Sequence, residues 1–136
     1  MSEKKTDKQI VGNAGMFYVC YQLSLLGWNV MPTSRNAKGI DIIAYSPDGK
    51  TFKGIQVKTL SSPANVPVGK EENTIMGEFW VIVVLFPDKP QMNTPTAYIL
   101  KKTEIEKLCD HYGKNLWLRR NKYEEKEFEN KWSRIK

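Results

Sequence analysis

The feature that most constrains the fold of this 136-residue chain is an unbroken apolar run, Phe-Trp-Val-Ile-Val-Val-Leu-Phe, at residues 79–86. Its aromatic and β-branched side chains favour an extended strand. A strand that is apolar at every position has to be covered on both faces, which is typical of the middle of an α/β sheet. We therefore predict an α/β fold arranged around this strand.

A helix is predicted near the start of the chain. Thr6 and Gln9 have the spacing of a capping box, and Gly27 is a favourable residue just past a helix end. The helix should therefore run from about residue 7 to Leu26. Apolar residues fall on most faces of its second half, which predicts that this half is buried.

Two further strands are predicted on either side of a tight turn. Ile40–Tyr45 and Thr51–Thr59 are strand-like, and Pro47-Asp48-Gly49 between them is a strong turn signal. A hairpin centred on this turn pairs residues whose numbers sum to 97.

This register makes a specific prediction about polar side chains. Asp41 would lie opposite Gln56, and Lys58, two residues further on, would point to the same face. A slip of one residue would place Gln56 and Lys58 on the other face. One simple interpretation is a structural salt bridge between Asp41 and Lys58 on a solvent-facing sheet.

The other elements are predicted from shorter patterns. They are a strand at Trp28–Met31, a loop at Ser61–Met76, a strand at Thr96–Leu100, helices at 102–110 and 124–132, a strand or buried loop at 115–118, and a helix end around His111.

Composition limits the class of protein. The chain is 40% hydrophobic and 26% charged, which suits one globular domain over residues 1–136. It has no long apolar stretch for a transmembrane helix and no apolar stretch of a signal peptide near Met1, so we expect a cytosolic protein without a membrane partner. The net charge of +6 favours an anionic partner, nucleic acid first.

Gly39-Ile40-Asp41, the hairpin, and then Gln56-Val57-Lys58 resemble the G-x-D…(E/Q)-x-K signature of the PD-(D/E)xK nuclease superfamily. The leading helix with Gly12-x-x-Gly15 and the basic loop at residues 34–36 resemble the same family. The resemblance covers about residues 10–86. Within the superfamily, the sequence is similar to archaeal Holliday-junction resolvases and to the Mrr-type branch, in which Gln replaces the acidic residue of the E-x-K triplet. It most resembles small bacterial endonuclease-like proteins.

The resemblance implies a restriction-endonuclease-like fold, with a central mixed sheet, an N-terminal helix and flanking helices. It implies Mg²⁺- or Mn²⁺-dependent hydrolysis of DNA phosphodiester bonds, with Asp41, Gln56 and Lys58 as catalytic residues. The metal would be held by Asp41, Gln56 and the Val57 carbonyl, since Mg²⁺ prefers oxygen ligands. Arg35 and Lys38 would hold the DNA backbone. Cleavage of both strands of a duplex would favour a homodimer.

The sequence departs from the family at one position. Related nucleases usually carry Glu after the second glycine of the helix, and this chain has Met16. Glu78 or Asn13 could supply the missing oxygen. The alternative is a catalytically degenerate DNA-binding or protein-interaction module on the same fold, and a third possibility is an α/β protein whose Asp41–Lys58 pair is purely structural.

Overall fold

The computed structural model describes residues 7–34, 39–88 and 94–136. Its helices and strands follow one another along the chain: α1 Lys8–Leu25, β1 Asn29–Pro32, β2 Ile42–Tyr45, β3 Phe52–Leu60, β4 Val66–Gly69, β5 Phe79–Val84, β6 Thr96–Lys101, α2 Lys102–Leu108, β7 Asp110–Tyr112, β8 Asn115–Leu118 and α3 Arg120–Tyr123.

A five-stranded mixed sheet forms the centre, in the order β1-β2-β3-β5-β6. Strands β3 and β5 run parallel, and the other neighbours are antiparallel. All six residues of β5 are buried, as its apolar sequence predicts. The strand ends at Val84, two residues earlier than predicted, and the side chain of Phe86 is exposed.

The two faces of the central sheet are covered by different elements. Helix α1 packs on one face through Val19 and Leu23, which join a core with Ile42, Ile55 and Val81. The other face packs against α2, α3 and the second sheet, in a core that includes Trp80. The prediction of an α/β fold around a doubly covered strand is therefore confirmed.

Helix α1 approaches β3 closely at Gly15. A Cβ atom added to Gly15 would lie 2.7 Å from the Cβ of Thr59, so only glycine lets the two backbones come this close. The helix is capped by Asp7, whose carboxylate accepts a hydrogen bond from the Gln9 amide at 2.8 Å. The predicted cap, Thr6, lies outside the described residues. The prediction that the second half of the helix is buried is wrong in part, because only the side that packs on the sheet is buried and large apolar side chains on the other side are exposed.

The predicted register of the hairpin is confirmed. Ile42 pairs with Ile55, Ile43 with Gly54, and Tyr45 with Phe52. Each pair of numbers sums to 97, because the turn is centred on Asp48 and Gly49, where Gly49 has a φ of 72°.

The prediction of a loop at Ser61–Met76 is wrong in part. Strand β4 lies within it and pairs with β8, which also pairs with β7, forming a separate three-stranded sheet. Val66 and Val68 alternate inward and bury against the core, so the cross-strand pairing outweighs the prolines in this segment. Residues 115–118, predicted as a strand or buried loop, form β8.

The predicted helix at 124–132 is also wrong. This segment runs beside β6 instead: Ile99 donates its backbone N–H to Phe128 at 2.9 Å, and Asn130 donates to Ala97 at 2.6 Å. Asn130 has a φ of 53° and its side-chain oxygen accepts from the Ala97 amide at 3.0 Å. The free edge of β6 thus outweighs local helix propensity, and the chain ends with a 3₁₀ turn at Trp132–Arg134.

The expected helix end at His111 is a third correction. Helix α2 ends at Leu108, and His111 is an exposed residue of β7 that pairs with Leu116. Gly113, with a φ of 66°, makes the turn that joins β7 to β8. In the described ranges, none of the helices has the length and apolar character needed to cross a membrane.

Candidate active site

Asp41 lies at the point where β2 begins and leaves the regular ladder with β3. Its backbone N–H donates to the carbonyl of Ile55 at 2.8 Å, and its carboxylate accepts from the backbone N–H of Val57 at 2.7 Å. The carboxylate therefore binds β3 in place of a backbone group. Thr33, the residue after β1, holds the same segment, since its backbone N–H donates to the Asp41 carbonyl at 2.8 Å.

The chain reaches this position through a glycine with positive φ. Gly39 has a φ of 74°, and a Cβ there would lie 2.5 Å from the Cβ of Met76. Gly77 also packs closely here, because a Cβ at this residue would lie 3.3 Å from the backbone nitrogen of Gln56. A larger residue at position 39 would displace the loop that carries Asp41.

Gln56 and Val57 present further oxygens beside Asp41. The N–H and C=O of one strand residue point to the same side, so the Val57 carbonyl faces the side on which Asp41 binds. The Gln56 side-chain amide makes only a long contact to this carbonyl, 3.5 Å from Nε2. Its Oε1 is buried and accepts no hydrogen bond within the described ranges. An unpaired buried amide oxygen is costly, which marks it as available for a ligand.

A depression of about 510 Å³ opens beside the Asp41 carboxylate. Its walls come from α1 and from the chain after β1, and besides Asp41 and Val57 they comprise Gln9, Gly12, Asn13, Met16, Thr33 and Ser34. The sequence did not single out Thr33, and it assigned Gln9 to the helix cap and Ser34 to the basic loop rather than to this depression. The signal for Gln9 was its spacing from Asn13 and Met16, since residues four and seven apart share one helix face.

Lys58 is held in a mostly apolar position next to this depression. Its Nζ lies 5.6 Å from the centre of the Trp80 ring, and its side chain lines a second depression with Lys8, Val11 and Ser61. Burial lowers the pKa of Lys58, and the nearby negative charge of Asp41 partly offsets this by raising the pKa. No ion pair within 4.0 Å joins these two described side chains, so they do not form the simple salt bridge.

Comparison with known proteins gives structural neighbours only. No protein-family model and no curated protein sequence matches the chain. A bacterial homing endonuclease, I-Ssp6803I, superposes with a TM-score of 0.58 at 13% identity, over 96% of this chain and 93% of that one. The chain has the restriction-endonuclease-like fold. A Holliday junction resolvase, Hjc from Archaeoglobus fulgidus, gives a TM-score of 0.49 at 13% identity, covering 79% of this chain and 89% of that one.

Within this restriction-endonuclease-like sheet, the polar side chains are divided between two places. Asp41 is bonded to Val57 at the edge where β2 begins, with Gln56 next to Val57 on β3, and Lys58 of the same strand lines the neighbouring depression. Arg35 and Lys38 lie outside the described residues, so their position relative to this edge is left as a prediction.

Glu78 does not supply the oxygen that the family's helix Glu would provide at position 16. Its carboxylate accepts from the Lys53 ammonium at 2.9 Å, and its side chain is half exposed. It lines a different depression, beside Lys101 and Arg134. Asn13, by contrast, lines the depression next to Asp41. Met16 lies on the same wall, where a carboxylate in place of its thioether would face the depression.

The oxygen atoms at this edge are of the types that bind a hard cation. A carboxylate, an amide oxygen and a main-chain carbonyl are ligands that Mg²⁺ accepts, and Mg²⁺ commonly binds through one or two carboxylates and keeps several waters. The buried Oε1 of Gln56, which accepts no hydrogen bond within the described ranges, is an oxygen atom that such a cation could bind. Among the described residues, no group of three or more His, Cys, Asp or Glu side chains is placed to hold a metal, so the site offers little negative charge.

Proposed function

We propose that this chain is an endonuclease that hydrolyses DNA phosphodiester bonds with the help of Mg²⁺ or Mn²⁺. One observation carries the proposal: the Asp41 carboxylate is fixed by the Val57 amide and lines an open depression, and Gln56, the residue before Val57, has a buried amide oxygen without a hydrogen-bond donor in the described ranges. The fold shared with a protein described as a homing endonuclease, and the net charge of +6, support it.

Asp41, Gln56 and the Val57 carbonyl would hold the ion. When bound, a divalent ion supplies charge stabilisation at the phosphate and a more acidic water. The role of Asp41 is to fix this position, because its second attachment to β3 prevents the carboxylate from turning away. Ser34 adds a hydroxyl group to the lining of the depression, where it can donate a hydrogen bond to a phosphate oxygen, whereas the Thr33 hydroxyl already donates to the Ile40 carbonyl at 2.6 Å.

Lys58 would accept a proton from the attacking water or offset the negative charge that develops on the phosphate. Its lowered pKa increases the neutral fraction of the amine, and a neutral amine can take a proton from the attacking water. In its protonated form the same group offsets negative charge on the phosphate. The family resemblance further suggests that Arg35 and Lys38 bind the DNA backbone, and that two copies act together on a duplex.

The test is cleavage of plasmid DNA with Mg²⁺ or Mn²⁺ by the wild type and by Asp41→Asn. We expect the substitution to reduce the cleavage rate by on the order of 100-fold or more, since an amide keeps the hydrogen bond to Val57 and loses the charge that binds the ion. Asp110→Asn is the matched control, because Asp110 is half exposed in β7 and pairs with Arg119. The control should cleave as the wild type does.

The melting temperature, measured with and without the metal ion, provides a second test. Ion binding to the folded chain should raise the melting temperature of the wild type and of Asp110→Asn, and should leave Asp41→Asn unchanged. DNA binding that weakens with salt, without cleavage and without metal-linked stabilisation, would instead favour the degenerate DNA-binding module. Failure to bind DNA at low salt would remove both functions.

A further inference from the structure

The outer face of α1 carries an apolar stripe that the chain itself does not cover. Ile10, Phe17, Tyr21 and Leu25 are exposed by 60%, 60%, 59% and 66%, and Ala14 between them is also exposed. Their spacings of four, three, four and four residues place them on one side of a helix. The opposite side, with Val11, Gly15, Val19 and Leu23, forms the contact with the sheet.

The same helix is almost without charge. Lys8 is the only charged residue of α1, and no further one follows before Arg35. A surface helix normally carries charged side chains on its outer face. Contiguous exposed apolar area on a protein surface commonly marks a site of association.

We propose that a second copy of this chain packs antiparallel along the stripe of α1, formed by Ile10, Ala14, Phe17, Tyr21 and Leu25. A twofold interface requires that residue i meets residue j while j meets i. The stripe meets this requirement about its own centre: positions 10 and 25, and positions 14 and 21, both sum to 35. Ile10 would then pack on Leu25, and the small Ala14 on the large Tyr21, with Phe17 next to the axis.

The size of the stripe matches a homodimer. The four large apolar side chains, exposed by about 60%, present on the order of 120 Å² each, so that with Ala14 the stripe offers roughly 500 Å² per copy. Two copies would together bury about 1,000 Å², the size at which specific interfaces begin.

The candidate active site stays open in this dimer. Gln9, Asn13 and Met16 lie on a neighbouring side of the helix from the stripe, so the partner does not fill the depression beside Asp41. The dimer does not depend on nuclease chemistry, and the experiments below measure mass and cross-linking rather than cleavage.

The first experiment measures the mass of the full chain by sedimentation equilibrium. We expect the wild type to have twice the 15.7 kDa chain mass at micromolar concentration, and Phe17→Glu with Tyr21→Glu to be monomeric. Phe86→Glu is the matched control, because Phe86 is 70% exposed and lies outside the stripe. It should remain dimeric. A cooperative unfolding transition for the double variant would show that the fold survives.

The second experiment tests the orientation. In a Cys20→Ala background, Ile10→Cys and Leu25→Cys chains are prepared separately and mixed. The two positions are about 22 Å apart along one helix, so an antiparallel pair brings only position 10 of one copy near position 25 of the other. A disulfide needs Cα atoms within about 7 Å. The mixture should therefore cross-link on oxidation, and neither variant alone should do so.

Each other outcome contradicts the proposal. A wild type that stays monomeric at high concentration would mean that the stripe has another occupant or none. A double variant that remains dimeric would place the interface elsewhere on the chain. Cross-linking of Ile10→Cys alone would indicate a parallel pair.

Discussion

Two polar clusters of this chain differ in how their oxygens are used. At the carboxyl-terminal end, both oxygens of Glu104 accept from Arg134 at 2.7 Å, and one also accepts from the Lys101 amide at 2.7 Å. Arg134 in addition donates to the Ile99 carbonyl and lies over the Phe128 ring. The Arg134–Glu104 cluster is saturated by the chain itself and acts as a clamp between α2, β6 and the last turn.

The cluster at the start of β2 is left open. Asp41 is tied to β3 by the Val57 amide, and the buried oxygen of Gln56 has no donor in the described part of the chain. Natural chains pair most of their buried polar groups, and the proposed function would use the unpaired oxygen of Gln56 as a ligand atom. The contrast between the two clusters therefore provides a test of that proposal.

The largest expected effect is on the saturated cluster. Arg134→Met should lower the free energy of unfolding by about 2 kcal/mol, because it leaves a partly buried carboxylate without its partner. Asp41→Asn should change it by less than about 0.5 kcal/mol, since the amide oxygen still accepts from Val57. Urea denaturation of both variants measures the contrast. Equal losses would mean that the Asp41 cluster is structural as well.

A second contrast compares a filled and an open position on α1. Gly15→Ala should destabilise the fold by about 1–2 kcal/mol, since its Cβ would overlap Thr59 and the overpacking exceeds the gain in helix propensity. Gly12 lines the depression, and a Cβ there meets nothing within 4 Å. Gly12→Ala should therefore stabilise the chain by up to about 1 kcal/mol. Thermal unfolding tests the pair, and similar melting temperatures would contradict the close contact.

A third prediction concerns the charge of the open cluster. Met16→Glu adds a carboxylate to the wall that carries Met16, opposite Asp41. We expect it to tighten Mg²⁺ or Mn²⁺ binding by about tenfold, equivalent to about 1.4 kcal/mol. Ser24→Glu adds the same charge near the other end of α1 and should leave the affinity unchanged. Metal titrations of the melting temperature give the comparison. No gain from Met16→Glu would argue against an ion beside Asp41.

The sequence predicted the parts of the fold that depend on local patterns. The apolar run of β5 and the Pro47-Asp48-Gly49 turn placed the central strand and the hairpin, and with them the neighbourhood of Asp41 and Gln56. Strand β4 was missed although Val66 and Val68 alternate, because the prolines around it favour a loop. The segment after Tyr123 was missed because its structure depends on the distant edge of β6.

The details of the site depend on contacts between distant parts of the chain. The hairpin register predicts that Asp41 is near Gln56, yet the bond from its carboxylate to the Val57 amide arises only because Asp41 leaves the ladder. The walls of the depression are set by the close approach of Gly15 to Thr59, which no local pattern encodes. Sequence spacing therefore predicted which part of β3 lies next to Asp41, and the packing of α1 determines which side chains line the depression.

The smallest expected effect is the pH dependence that Lys58 gives to stability. Burial lowers the pKa of Lys58 in the folded chain, so the unfolded chain binds more protons between that value and the ordinary lysine pKa of about 10.4. Stability attributable to Lys58 therefore rises with pH through this window, and below it the full cost of burying the ammonium is present. Lys58→Met removes the titration.

The stability advantage of Lys58→Met over the wild type should accordingly be greatest near neutral pH and decrease as the pH approaches 10. Loss of the contact with the Trp80 ring lowers this advantage by a similar amount at every pH at which Lys58 is charged, so the slope is the more direct measure. Lys50→Met, at an exposed position in the turn, serves as the control and should follow the wild-type slope. A slope for Lys58→Met parallel to the wild type would mean that the ammonium is solvated, and that its depression cannot supply a neutral amine to the reaction.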